Sequence, residues 1–231
     1  MLIRQILSVF EKDLRIEFRS KYALNMVSAF IVAALLLILF TLRAQELQPT
    51  PKSGLIWIVV LFASLTVLGR SFIMETDKGT FQTLQIYSNA TAVYLGKYLY
   101  NMGFSLLIYL LSFSLYGFLI KWSIVSYPAF LYIMVFGTMG LSSVCTLIAA
   151  IVSQADRQGA IFSVLSIPLF MPFILLLSRL TKKAFVDGMQ GWWNSEVAAL
   201  FGFVGVTSVA GWLLFDLFSF MLPFDLSEPN S

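Results

Sequence analysis

The sequence predicts an all-α membrane protein, with six transmembrane helices preceded by an amphipathic helix lying in the membrane interface. Three observations predict it. Hydrophobic residues make up 59% of the chain and charged residues only 12%, with a mean hydropathy of +0.86. A soluble domain holds about a quarter charged residues, so this chain lacks the polar surface needed to dissolve. Six apolar runs of 19–26 residues follow one another, each long enough at about 1.5 Å per residue to cross a hydrocarbon core of about 30 Å. Ahead of them, residues 3–21 mix apolar and charged side chains on a helical period. The 231 residues are read as a single transmembrane domain.

The first element is "IRQILSVFEKDLRIEFRSK". Ile3, Ile6, Leu7, Phe10, Leu14 and Phe18 fall on a 3.6-residue period and the remaining face is largely charged, the pattern of a helix in the plane of the headgroups. No cleavable signal peptide is expected, because this charged segment precedes an apolar run too long for an h-region.

The six spans are expected at 22–42, 54–74, 98–120, 128–152, 160–178 and 197–222. Arg70 lies near one end of the second and Asp216 within the sixth; the other four carry no charge. With the N-terminus inside, nine lysines and arginines fall on the cytoplasmic side and six on the outer side, and five of the nine flank the first span. That bias orients both termini toward the cytoplasm. The inner loops are then a polar patch at 75–90, "ETDKGTFQTLQIYSNA", and "SQADRQG" at 153–159. The longest outer loop, 179–196, holds Trp192 and Trp193, a pair suited to the headgroup layer.

Several kinds of chemistry find no constellation here. There is no histidine and one cysteine, Cys145, within an apolar run. Zinc sites, Cys-His nucleophiles, His-ligated haem and internal disulfides are therefore excluded, and no metal site is expected. Neither a phosphate-binding loop nor a Gly-rich dinucleotide fingerprint occurs. No base is present to complete a hydrolytic triad, so no catalytic residue is assigned and the chain is read as a non-enzyme. The net charge of +3 is too small and too scattered for a nucleic-acid footprint.

The remaining candidates are polar groups where the membrane should be, and breaks in the helices. Asp216 lies about one and a half turns from the expected cytoplasmic end of its span, and Arg70 sits at a similar depth. The two suit either a structural pair or a transport and gating role. Pro168 and Pro172, in "SIPLFMPF", each remove a backbone donor and suit either a static bend or a moving kink. In the patch, Gly79 and Thr80 look like a turn into a short helix with Phe81, Leu84 and Tyr87 on one side, and Glu75, Asp77 and Lys78 stand before the turn. Such an element suits docking into a groove on a cytoplasmic partner, or simply a solvated loop.

Taken together, these residues resemble a known group. Six spans, an N-terminal amphipathic helix and the loop E-x-D-K-G-T-x-x-x-L resemble the ABC-2 (type V) exporter permeases. More narrowly, "FEKDLRIEFRSK", "GLIWIVVLFASLTVLGRSF", the patch with Gly79, Thr80 and Leu84, "LGKY" at 95–98 and "LSIPLFMPFILL", in that order, resemble the haem exporter protein B family, CcmB. The resemblance implies a bacterial inner-membrane permease subunit of the cytochrome c maturation complex. The patch would be its coupling helix, with Glu75, Asp77, Lys78, Gly79, Thr80, Phe81 and Leu84 meeting a separate ATPase subunit (CcmA-like) that holds ATP and Mg. The implied partners are a haem-handling membrane subunit (CcmC-like), a single-span subunit (CcmD-like), a periplasmic haem chaperone (CcmE-like) and a second copy of the chain. No cofactor would be bound by this chain itself. Two rival readings stand beside it: a generic ABC-2 exporter of a lipid, polysaccharide or drug, and a secondary transporter or scaffold that uses no ATP.

Overall fold

A computed structural model describes residues 2–68, 89–152, 158–187 and 195–221. The helices are α1 (Leu2–Ser20), α2 (Tyr22–Leu42), α3 (Pro49–Val67), α4 (Ala90–Ile120), α5 (Tyr127–Val152), α6 (Gln158–Lys182) and α7 (Ser195–Met221), with a π-helical turn, Lys183–Asp187, continuing α6. Six of these, α2 to α7, are long and apolar enough to cross a membrane. The chain is thus an all-α, multi-pass membrane protein, as its hydropathy predicts.

α5 is the centre of the bundle, packing on α4, α6 and α7. Its residues 140–149 are buried on every side, the signature of a helix enclosed by others. α3 bridges α2, α4 and α6. α2 uses a narrow stripe, Ala23, Val27, Ile31 and Leu35, against its neighbours and leaves Leu37 and Phe40 exposed, as expected of a helix at the edge of a bundle bathed in lipid.

Several boundaries differ from the sequence expectation. α3 begins at Pro49, five residues before the expected 54, with prolines in its first turn. A proline there loses no helical hydrogen bond and its φ is already helical. α4 begins at Ala90 rather than 98 and is 31 residues long. α6 runs past 178 into the segment expected to be an outer loop, because Leu177, Leu180, Thr181 and Ala184 keep one face buried while the basic residues lie between them. Trp192 and Trp193 fall outside the described residues. Pro168 and Pro172 sit inside α6, whose helical assignment continues through both, and both lie on its exposed side.

The elbow between α1 and α2 is one residue. Lys21 adopts a left-handed conformation, φ 52°, at a cost of about 1–2 kcal/mol for a residue with a Cβ. It is held from both sides: the Lys21 N–H donates to the Glu17 carbonyl at 2.7 Å, and the Leu24 N–H donates to the Glu17 carboxylate at 3.0 Å. Glu17 thereby caps the first turn of α2 from the preceding helix.

At the end of the bundle remote from α1, aromatic rings gather. Trp57 meets Tyr109 at 5.1 Å and Phe113 at 5.5 Å, and Trp122 meets Phe185 at 4.4 Å. The N–H groups of Val125 and Ser126 donate to the Ala184 carbonyl at 3.2 and 2.9 Å, which fastens the α4–α5 connection to the π-helical turn. Lys183 pairs with Glu196 at 2.8 Å, tying the end of α6 to the start of α7.

Candidate functional site

Residues 69–88 hold Arg70, Glu75, Asp77, Lys78, Gly79, Thr80, Phe81 and Leu84 and lie outside the described residues. The structure does describe what this segment leads into. α4 starts at Ala90, directly after Asn89.

Those turns are held from two sides, by α1 and by α7. Gly96 seats α1: a Cβ at this position would lie 2.7 Å from the Val9 Cβ and 3.0 Å from the Ile6 carbonyl oxygen. Only glycine permits the two backbones to approach so closely. Beside it, Lys97 is fully buried and its Nζ lies 3.2 Å from Oδ2 of Asp13, itself only 9% exposed. Lys12 meets the other carboxylate oxygen of Asp13 at 3.3 Å. A lysine two turns inside a membrane helix thus has its charge answered by the interfacial helix.

α1 docks with one edge of its apolar stripe. Val9 is buried and Ile6 and Phe10 are half-buried, while Ile3, Leu7 and Phe18 stay 73%, 54% and 60% exposed. The exposed strip is rotated away from α4 and is free to enter lipid. The helix therefore has three faces: one for α4, one for the hydrocarbon, and a charged one bearing Arg4, Glu11, Arg15 and Arg19.

On the α7 side, Gly211 accepts the Tyr94 ring, whose hydroxyl occupies the place where a Cβ would stand. Tyr94 also packs on Phe215 with ring centroids 5.6 Å apart, and the Trp212 Nε1–H donates to the Thr91 hydroxyl at 3.4 Å. Asp216, a candidate from the sequence, is exposed on α7 next to Phe215. It therefore stands beside the start of α4. Its expected companion Arg70 lies outside the described residues.

Deeper in the bundle, hydrogen bonds continue the grip from α4 to α5 and α7. The Ser142 hydroxyl donates to the Tyr98 carbonyl at 2.8 Å, the Asn101 side-chain N–H donates to the Thr146 hydroxyl at 2.9 Å, and Ser143 and Thr207 share a hydrogen bond of 2.7 Å. Among the described residues, no three His, Cys, Asp or Glu side chains converge as a metal site would require. Among the described residues, the arrangement is a set of fastenings that hold α4 to α1, α5 and α7.

Sequence reasoning missed Asp13, Gly96, Lys97, Tyr94 and Gly211. Lys97 falls one residue before the start of the third span expected from the sequence, 98–120. Starting α4 at Ala90 moves Lys97 from a boundary to the helix interior. The signal in the sequence was the small-basic-aromatic run "GKY" following a stretch already compatible with helix.

Comparison with known proteins places these features in a family. A family model described as CcmB protein matches residues 4–214. Heme exporter protein B of Rhodobacter capsulatus is 25% identical over 181 residues, covering 76% of this chain and 82% of that protein. The matched range takes in the docked α1 from Arg4, the whole of α4 and α7 as far as Leu214, and the chain belongs to the CcmB family.

Proposed function

We propose that this chain is the membrane permease subunit of an ABC complex serving cytochrome c maturation. It would be a non-catalytic subunit that couples ATP hydrolysis on a separate chain to release of a haem-loaded periplasmic chaperone. The observation that carries this reading is the CcmB family match from residue 4 to residue 214, over a chain with six helices able to cross a membrane. The likeness to a heme exporter protein B supports it.

In this reading α4 carries the movement. An ATPase subunit (CcmA-like) closes around ATP and Mg and pushes on the segment 75–90, with Glu75, Asp77 and Lys78 positioning it and Phe81 and Leu84 filling the groove. The push passes through Asn89 into α4, and α4 moves α1, α5 and α7 with it. The outer ends of the helices then alter their hold on a haem-handling membrane subunit (CcmC-like), with a single-span subunit (CcmD-like), the chaperone (CcmE-like) and a second permease completing the assembly. Haem stays with those partners, since the chain has no histidine to serve as the usual axial ligand. The orientation follows the positive-inside rule, with both termini in the cytoplasm of a bacterium and the spans in its inner membrane.

The test is affinity purification of the full chain in mild detergent, with partners identified by mass spectrometry. An ATPase and a haem-handling membrane protein are expected together. Recovery of neither from a stable, membrane-inserted chain overturns the reading.

A further inference from the structure

The coupling reading has movement enter at α4. α4 touches α2 directly, but the structure holds a second route between them, through α1. One end of that route is the pair Asp13–Lys97 at 3.2 Å with the close approach of Val9 to Gly96. The other is the elbow at Lys21, where the Glu17 carboxylate accepts the Leu24 N–H at 3.0 Å. Asp13 and Glu17 are one turn apart on α1, so a single turn of helix is fastened to α4 on one side and to the first turn of α2 on the other.

We infer that α1 is a strut carrying movement from α4 to α2, and that Asp13 and Lys97 are the positioning residues that fix its register. The inference rests on the coupling reading above. The seat of Val9 on Gly96 sets where the two helices touch, and the ion pair beside it sets the rotation of α1 about that point. Ile6 and Phe10 flank Val9 at half burial, and the exposed strip Ile3, Leu7 and Phe18 beside them offers an alternative apolar face. A buried ion pair has one geometry. Pairs of this kind add little stability over well-packed apolar side chains, and their best-attested use is to specify one arrangement among several. The position of Lys97 suits that use: it is fully buried, lies two turns into the helix that follows the coupling segment, and meets Asp13 of α1, which among the described helices is the one outside the six spans.

The test separates register from stability. In the full complex with its ATPase subunit and in a Lys12→Gln background, because Lys12 shares the Asp13 carboxylate, the pair is replaced by apolar residues (Asp13→Leu with Lys97→Met) and, separately, exchanged (Asp13→Lys with Lys97→Asp). The apolar variant is expected to keep its thermal midpoint and its bound ATPase, while the yield of c-type cytochrome and the ATP turnover linked to it fall about tenfold, within the usual range for coupling between sites. The exchanged pair is expected to recover at least half of both. Wild-type cytochrome yield and turnover in the apolar variant overturn the strut. If the apolar variant does not accumulate, the exchanged pair decides alone: normal abundance with no recovery overturns the inference, and recovery upholds it. A wild-type chain that binds no ATPase overturns the coupling reading, and the strut falls with it.

Discussion

The Cβ of Val9 lies 2.7 Å from the point where a side chain on Gly96 would begin. This contact seats the interfacial helix on α4, and it separates Gly96 from a nearby glycine of the same helix. Gly103 has nothing within 4 Å of its own Cβ position. Replacing Gly103 with alanine is therefore expected to stabilise α4 by up to about 1 kcal/mol through helix propensity. The same change at Gly96 should destabilise the chain by about 1–3 kcal/mol, because Val9 must be displaced. Thermal unfolding of the two variants in detergent checks the sign; equal shifts would refute the seating contact.

Tyr94 and Gly211 make a similar prediction from the opposite side of α4. The Tyr94 hydroxyl is buried with no hydrogen-bond partner among the described residues, and it is the atom nearest to a Cβ at Gly211. Tyr94→Phe is expected to be neutral or stabilising by about 1 kcal/mol, since it removes a polar group buried without compensation. Gly211→Ala should destabilise, and adding Tyr94→Phe should restore part of the loss. A double-mutant cycle reads this directly, and additive effects would show that the hydroxyl is not the obstructing atom.

Asn101 and Thr146 test whether the polar seam between α4 and α5 matters in a lipid setting. The bond is 2.9 Å long and both residues are fully buried. Thr146→Val keeps the shape and removes the acceptor, and is expected to cost about 0.6–2 kcal/mol, the range for hydrogen bonds between membrane helices. The paired change Asn101→Leu with Thr146→Val should cost less than the sum of the single changes. A cost equal to that sum would mean the two side chains do not interact.

Leu84→Asp tests the segment before α4. A carboxylate in the proposed groove contact is expected to lose the ATPase subunit from the membrane or to uncouple ATP hydrolysis from cytochrome c assembly. Normal co-purification together with normal assembly would exclude this segment as the point of entry. Phe40→Ala, 77% exposed near the other end of α2, serves as the variant expected to leave both unchanged.

The helices and the candidate site were legible to different degrees. The six spans could be read because each is an apolar run, and the cost of placing a residue in hydrocarbon adds along the chain without reference to its neighbours. The amphipathic character of α1 was legible for the same reason, since its period is a local property. The boundaries moved where local signals competed: Pro49 opened α3 early, and the buried face of Leu177 and Leu180 carried α6 past Arg179 to Lys182. The family resemblance rested on stretches that include "FEKDLRIEFRSK" and "LGKY", yet nothing in those stretches said that one lies against the other.

That pairing came from the three-dimensional arrangement. Helices in lipid gain little from burying apolar surface against each other, since the lipid is as apolar as they are. Their association is decided by close backbone approach and by a few polar groups, and these need partners distant in the chain. Asp13 and Lys97 are 84 residues apart. Read singly they are two charges near a membrane surface; set 3.2 Å apart beside Gly96, they fix how the first helix lies on the fourth.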